Sequence, residues 1–135
     1  MIRRYAAKLL YELELHAAEP GELTAMPRRY AELLTEHLGF AYPTETWLDD
    51  VDTGFYASQY LRAWMLEAQL REHWRAARGE RWWASAQTGA EMRGLWSLGQ
   101  ALPADLVAVE LGMDRLDDAA LERRIREGLA GVRST

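Results

Sequence analysis

The residues from about Phe55 to Arg78 constrain the fold most, because their apolar positions follow a helical repeat without interruption. Gly79 closes the segment, as a glycine does at the left-handed position that ends many helices. A helix that is apolar over so much of its surface usually lies at the centre of a bundle. The segment therefore predicts a long central helix. Its apolar positions include Tyr60, Leu61, Trp64, Met65, Leu66, Ala68, Leu70 and Trp74.

Two further helices are predicted in the first forty residues. The first runs from about residue 2 to residue 18 and stops at Glu19-Pro20-Gly21. The second begins near Thr24, an expected N-cap followed by Pro27 in the first turn, and ends at Gly39. Both helices have an apolar face that must pack against a partner. The expected faces are Tyr5, Ala6, Leu9, Leu10, Leu13 and His16 in the first, and Tyr30, Leu33, Leu34, His37 and Leu38 in the second.

Three shorter helices are predicted after Gly79. Thr88-Gly89 opens one that continues through Leu98, and Pro103 starts another that ends at Gly112. Asp117 and Asp118 can cap a last helix. Its expected inner face is Leu121, Ile125 and Leu129, and its expected solvated side is Arg123, Arg124 and Arg126.

The whole pattern predicts an all-α fold. No strand alternation, internal repeat or low-complexity segment is present, and the short loops favour antiparallel packing of neighbouring helices. The longest irregular stretch, residues 40–54, is punctuated by Pro43 and Gly54, and Thr44 can cap one helical turn within it. With 135 residues the chain is long enough for a hydrophobic core. We expect a compact bundle of about five to six helices in a single domain spanning residues 1–135.

Composition and charge exclude several functional classes. The formal net charge of −5 argues against nucleic acid and against an anionic membrane surface, because both attract basic proteins. The chain has no cysteine, so disulfides and thiolate metal sites are ruled out. The first residues become acidic by Glu12, which does not fit a signal peptide, and no stretch is long enough to span a bilayer. A cytoplasmic location is expected.

Three large aromatic residues, Tyr56, Tyr60 and Trp64, recur at four-residue spacing near the start of the long helix. On a helix these side chains lie along one face. One interpretation is a core face whose hydroxyls bond locally, since aromatic residues on a central helix are usually buried. The other is a cleft wall, because leucine and isoleucine would suit a plain core face and two of these three residues carry a hydroxyl.

Three segments of the chain resemble, in order, the C-terminal part of the thimet oligopeptidase and oligoendopeptidase F family of zinc metallopeptidases. They are residues 11–16, residues 30–39 and residues 47–60. The third carries Trp47, then Phe55-Tyr56 and Gln59-Tyr60, in the order of the family's aromatic pattern. Residues 99–121 also suit the family's tail. The resemblance implies a fold like the C-terminal part of a zincin peptidase catalytic domain.

The resemblance implies that the chain holds only part of an enzyme. The complete family enzyme hydrolyses short peptides with zinc, which an upstream HExxH helix and a later glutamate bind. This sequence has no HExxH motif, and His16, His37 and His73 are isolated. Glu12 and His16 are four residues apart and could reach one metal, although such a pair is common by chance. We therefore expect no metal site and no cofactor in this chain, and no peptidase activity from it alone, while its status as an enzyme is left open.

The resemblance also assigns candidate site residues. Tyr56 and Tyr60 match tyrosines that bond the substrate and the tetrahedral oxyanion, so they are the catalytic candidates. Asp50 stands where the family has a histidine, and Asp52 where it has a tyrosine, so either the chemistry has changed or the segment binds without catalysing. The substrate-binding candidates are Arg62, Trp64, Asp50 and Asp52.

Each of the polar candidates also has a simpler interpretation. Arg62 is either a solvated or ion-paired arginine or a clamp for the carboxylate of a peptide terminus. Asp50 and Asp52 either shape the turn and cap the helix that follows, or recognise a basic group.

Two hypotheses about the whole chain follow. In the first, it forms one wall of a peptide cleft, and its partners are the peptide substrate and a missing N-terminal peptidase part, on the same chain or another. In the second, it is a stand-alone helical interaction module, and its aromatic groove binds a partner protein or a second copy in a homodimer.

Of the adjacent Trp82 and Trp83, we expect one to pack and the other to be exposed, and an exposed tryptophan would mark a contact surface.

Overall fold

The computed structural model describes residues 1–132, and in that range the chain forms six α-helices and no β-strand. The prediction of an all-α fold with five to six helices is confirmed. The long helix lies where the sequence places it. The helices are α1 (Ile2–Ala17), α2 (Met26–Leu38), α3 (Tyr56–Arg78), α4 (Ala86–Ser97), α5 (Ala104–Glu110) and α6 (Ala119–Val132), with 3₁₀ turns at Leu23–Ala25 and Trp82–Ala84.

The helices belong to two compact units. The first unit spans Met1–Leu61, and the second begins at Arg62. The first unit holds α1, α2 and the first turns of α3, and the second holds the rest of α3 and the three shorter helices. That the chain folds as a single domain stays a prediction.

The core of the first unit forms where α1 packs on α2. Tyr11 of α1 meets Tyr30 of α2 edge to face, with ring centroids 4.9 Å apart. Tyr30, Leu33 and Leu34 are buried, as their helical spacing predicts. The loop between α2 and α3 folds back on this core, so that it covers apolar surface that the two helices leave open. The loop contributes Tyr42, Trp47 and Val51.

The buried face of α1 differs from the predicted one. Leu10 and Leu13, expected to face inward, are 47% and 51% exposed. The buried side chains of α1 are Ala7, Lys8, Tyr11 and Glu12. Hydrophobic periodicity does not predict this face, because it treats a lysine and a glutamate as solvated residues. Burying a charged side chain is costly without a partner, and the loop before α3 supplies partners for Lys8 Nζ and for Glu12 Oε1.

The ends of the helices follow local backbone chemistry only in part. Gly39 ends α2 in the left-handed conformation, with φ of 79°, as predicted. The N-cap of α2 is Ala25, because a 3₁₀ turn leads directly into the helix and places Thr24 inside that turn. The predicted cap at Thr24 is therefore wrong. The helix predicted to open at Thr88 begins at Ala86 instead, capped by Ser85.

The second unit has its core around Trp74, which is 3% exposed. Its indole stacks on Trp82, with centroids 5.5 Å apart, and its Nε1 donates to Glu91 Oε2 at 2.9 Å. Trp83 is 65% exposed. The prediction that one of the adjacent tryptophans packs and the other is exposed is confirmed.

The last helix also presents a different face from the predicted one. Leu121 is buried, but Ile125 and Leu129 are 40% and 62% exposed. Arg123, Arg124 and Arg126 are exposed, as predicted, and Arg123 and Arg124 also form ion pairs with Glu72 and Glu67 of α3. The acidic residues of α3 attract this arginine side of α6, and a pattern counted on apolar residues alone does not register that attraction.

Candidate functional site

The first turns of α3 place two tyrosines on the surface of the first unit. Tyr56 and Tyr60 are 52% and 39% exposed, and their rings meet edge to face at 5.2 Å. The ring of Tyr5, from α1, lies 4.7 Å from that of Tyr60. We call these three residues the tyrosine group. Of the two interpretations of this helical face, exposure favours a binding surface over a sealed core for Tyr56 and Tyr60.

Tyr60 keeps its phenol proton at neutral pH. The nearby Tyr56 phenol raises the pKa of Tyr60 above its ordinary value, chiefly because two adjacent phenolates would repel each other. A protonated phenol donates a hydrogen bond and can therefore meet a carbonyl oxygen, a carboxylate or an oxyanion. The group is thus suited to binding an electron-rich oxygen.

The backbone immediately before α3 is unusual. Gly54 has φ of 66° and Phe55 has φ of 55°, so two successive residues are left-handed. Glycine adopts this conformation freely, but a phenylalanine there is strained and must be held by its surroundings. The Phe55 ring packs edge to face on His16 of α1, with centroids 5.0 Å apart. This double turn sets the direction in which α3 starts, and so the position of Tyr56.

Asp50 is turned into the first unit and bonded to both helices there. Its Oδ1 lies 2.5 Å from the guanidinium of Arg4 and 3.6 Å from Lys8 Nζ, and its Oδ2 accepts from the Tyr30 hydroxyl at 2.9 Å. A hydrogen bond to Tyr42, together with Asp50, raises the pKa of Arg4. Asp50 thus joins the loop to α1 and α2, and its charge is offset by two cations.

Asp52 is bonded to α1 through both its side chain and its backbone. Its Oδ2 lies 2.6 Å from Lys8 Nζ, and its amide N–H donates to Glu12 Oε1 at 2.9 Å. Lys8 is 5% exposed and Glu12 is fully buried. Sequence reasoning singled out Asp50 and Asp52 but missed Arg4, Lys8, Glu12 and Tyr30 as their partners. The sequence signal that could have indicated these partners is the four-residue spacing of Lys8 and Glu12 on α1, together with the aspartate-rich loop that follows α2.

Two buried polar atoms of α1 have no hydrogen-bond partner among the described residues, the Tyr11 hydroxyl and Glu12 Oε2. Burial raises the pKa of Tyr11 to about 12, because the charged phenolate would lose its hydration. Tyr11 is therefore neutral across the physiological range.

Arg62 and Trp64 belong to the second unit. Arg62 Nη2 lies 2.5 Å from Asp105 Oδ2, with both side chains partly exposed. The guanidinium is therefore ion-paired, which is the simpler of the two sequence interpretations, and a peptide carboxylate would have to compete with Asp105. Trp64 is half-buried.

The second unit also contains a cavity of about 460 Å³ between α3 and the start of α6. A bidentate ion pair of Glu72 with Arg123 lies along it, and Gln69 bonds the backbone of Arg115 and Asp117. These polar lining groups are already bonded within the protein. His73 also lines the cavity. A ligand in this cavity would therefore have to compete with bonds that the protein already makes.

Residues 1–132 contain neither a cluster of metal ligands nor a membrane-spanning helix. No three histidine or acidic side chains lie together in a way that could hold a metal ion. None of the helices in this range is long and apolar enough to cross a membrane. Glu12 and His16, the one pair that could reach a metal by spacing, instead contact Asp52 and Phe55.

Comparison with protein-family models, with curated proteins and with solved structures found no match to this chain.

Proposed function

We propose that this chain is the C-terminal helical part of a cytoplasmic zinc-dependent oligopeptidase and forms one wall of its peptide cleft. The observation that carries the proposal is the exposed, edge-to-face pair of Tyr56 and Tyr60 at the start of α3. The ordered resemblance of three segments to the thimet oligopeptidase and oligoendopeptidase F family supports it. The described residues hold no set of ligands for zinc, so the metal and its HExxH helix belong to another part of the enzyme.

In this proposal the two phenols bind the substrate at the reacting peptide bond. A phenol donates one hydrogen bond, and a bond from either tyrosine to the carbonyl oxygen would strengthen as negative charge develops there. Asp50 and Asp52 would oppose such charge if they were unpaired. Arg4 pairs with Asp50, and Lys8 pairs with both carboxylates, which reduces their repulsion of an oxyanion. Zinc in the complete enzyme supplies the activated water.

The binding role of the phenols can be tested with a short phosphinic peptide, whose tetrahedral anionic group imitates the oxyanion. We expect saturable shifts of the Tyr56 and Tyr60 ring resonances when the full chain is titrated with this peptide. Y56F and Y60F should each weaken binding about tenfold, the effect of losing one hydrogen bond to a charged group.

Trp83 provides the control, because it is also an exposed aromatic residue but lies in the second unit. W83F should leave the affinity unchanged. Equal affinities for Y56F, Y60F and wild type would contradict the proposed role.

A second test is the mass of the native protein, measured with an antibody raised against this chain. A band much heavier than 15.5 kDa supports an enzyme fragment, and a band at 15.5 kDa contradicts it.

The second candidate function is a stand-alone interaction module that forms a homodimer. The specific observation that favours it is the exposure of Leu10 and Leu13, three residues apart on α1. Sedimentation equilibrium tests this: a dimer should dissociate on the double substitution L10S and L13S. A wild-type chain that sediments as a monomer at all concentrations would rule this candidate out.

A further inference from the structure

Helix α1 directs three side chains at four-residue spacing toward the segment that leads into α3. They are Lys8, Glu12 and His16, and each contacts a different part of residues 52–55. Lys8 binds the Asp52 carboxylate at 2.6 Å, Glu12 accepts from the Asp52 amide at 2.9 Å, and His16 packs on the Phe55 ring. Because residues four apart share one helical face, these contacts form a single stripe. We call it the α1 stripe.

The contacts of the α1 stripe end one residue before Tyr56. A segment held by an ion pair, a backbone hydrogen bond and a ring contact has little freedom to rotate. It passes through the left-handed pair Gly54 and Phe55, so its geometry decides the direction of the first turn of α3. On the same helix α1, Tyr5 packs on Tyr60. Helix α1 therefore holds the segment that ends just before Tyr56 and also contacts Tyr60.

Stability alone does not account for two charged side chains in the α1 stripe. Lys8 and Glu12 are nearly or fully buried, and a buried charged group often stabilises a protein no more than an apolar residue of the same size would. What a buried polar network does provide, in the best-attested cases, is one defined arrangement of the elements it joins. Here the joined elements are α1 and the start of α3.

We propose that Lys8 and Glu12 are positioning residues that hold the phenols of Tyr56 and Tyr60 in their binding geometry. This inference rests on the proposed function, in which those phenols bind the substrate oxygen. Glu12 acts through the Asp52 amide, and Lys8 acts through the Asp52 carboxylate. Neither residue touches the substrate.

The test uses E12L and K8M in the full chain, with two readouts: the ring resonances of Tyr56 and Tyr60 in the free protein, and the affinity for the phosphinic peptide. E12L removes the acceptor of the Asp52 amide, and K8M removes the ammonium at nearly constant size. Both should shift or broaden the two ring resonances and weaken peptide binding about tenfold. E12Q keeps an acceptor oxygen, so it should restore resonances and affinity close to those of wild type.

Glu14 supplies the matched control, because it lies on the same helix and pairs with Arg29 of α2 instead of the segment before α3. E14Q should lower thermal stability but leave the tyrosine resonances unchanged. The inference is wrong if K8M and E12L leave those resonances unchanged in the folded protein, or if E14Q perturbs them equally. If E12L does not fold, K8M and E12Q decide the outcome.

A double-mutant cycle separates this inference from the proposed function. If Glu12 acts by positioning Tyr56, E12L should weaken binding much less in a Y56F background than in wild type. Additive losses contradict positioning. A wild-type chain that binds no phosphinic peptide contradicts the proposed function alone, since the ring resonances of the free protein still report whether the α1 stripe positions the phenols.

Discussion

Tyr11 and Tyr30 meet in the core of the first unit, yet within residues 1–132 only the Tyr30 hydroxyl has a hydrogen-bond partner. The Tyr30 hydroxyl donates to Asp50 at 2.9 Å and accepts from Thr46 at 3.3 Å. The Tyr11 hydroxyl is buried with no partner among the described residues. A buried polar group without a partner costs about 1–3 kcal/mol, so two tyrosines with similar burial contribute differently to stability.

This difference predicts opposite outcomes for two phenylalanine substitutions. Y30F should lower the free energy of unfolding by about 1–3 kcal/mol, because the buried Asp50 carboxylate loses a donor. Y11F should leave it unchanged or raise it by up to about 1 kcal/mol, because it removes an unsatisfied hydroxyl. Urea unfolding followed by circular dichroism measures both values. Equal losses for the two variants would mean that the Tyr11 hydroxyl is satisfied in solution.

At the scale of the helices, the N-termini of α2 and α4 are formed in different ways. Ser85 caps α4, and its side chain accepts from the Thr88 amide. Helix α2 has no hydrogen bond from a capping side chain, because a 3₁₀ turn leads directly into it. Its first turn contains Pro27, which has no N–H that needs a partner. Thr24 therefore contributes no capping bond, although its residue type suggests one.

Alanine substitutions should separate the two N-termini. S85A should lower the free energy of unfolding by about 0.5–1 kcal/mol through loss of the cap, whereas T24A should change it by less than about 0.5 kcal/mol. Thermal unfolding of the two variants beside wild type measures the difference. A larger loss for T24A than for S85A would show that Thr24 caps α2 after all.

For the chain as a whole, pairing with arginine decides how stability changes in acid. Hydrogen bonds from Arg29 lower the pKa of Glu14, and hydrogen bonds from Arg123 lower the pKa of Glu72. Because the pKa of each is lower in the folded than in the unfolded chain, the unfolded chain binds more protons in acid. The stabilising contribution of each pair is therefore present above the ordinary glutamate pKa and is lost as the pH falls below it.

The unfolding temperature should accordingly fall as the pH is lowered from about 5 toward 3, the range just below the ordinary glutamate pKa. The double substitution E14Q and E72Q should lower the unfolding temperature at pH 7 slightly and make its fall in acid shallower, since two of the responsible carboxylates are gone. E110Q is a suitable control, because Glu110 is exposed and forms no ion pair with another of residues 1–132. An unchanged slope in the double variant would contradict this origin of the acid response.

Local sequence signals predicted the helices better than the faces those helices bury. The uninterrupted repeat after Phe55 predicted α3, and Gly39 marked the end of α2, because backbone preference and apolar spacing act over a few neighbouring residues. The buried face of α1 was predicted wrongly and that of α6 only in part, since both helices have ionic partners far away in the sequence. For the candidate site, the sequence identified Tyr56 and Tyr60 but not the residues that hold them.

The sequence by itself determined the all-α class, the long α3 helix and the four-residue spacing of its tyrosines. Only the tertiary structure decided that Lys8 and Glu12 lie inside, bonded to Asp52, and that Asp50 is bonded to Arg4 and Tyr30. The physical reason is the cost of burying a charged side chain, which a hydrogen-bond or ion-pair partner offsets. For Lys8 and Glu12 that partner is supplied by a loop some forty residues away, so their burial depends on how this loop folds back on α1.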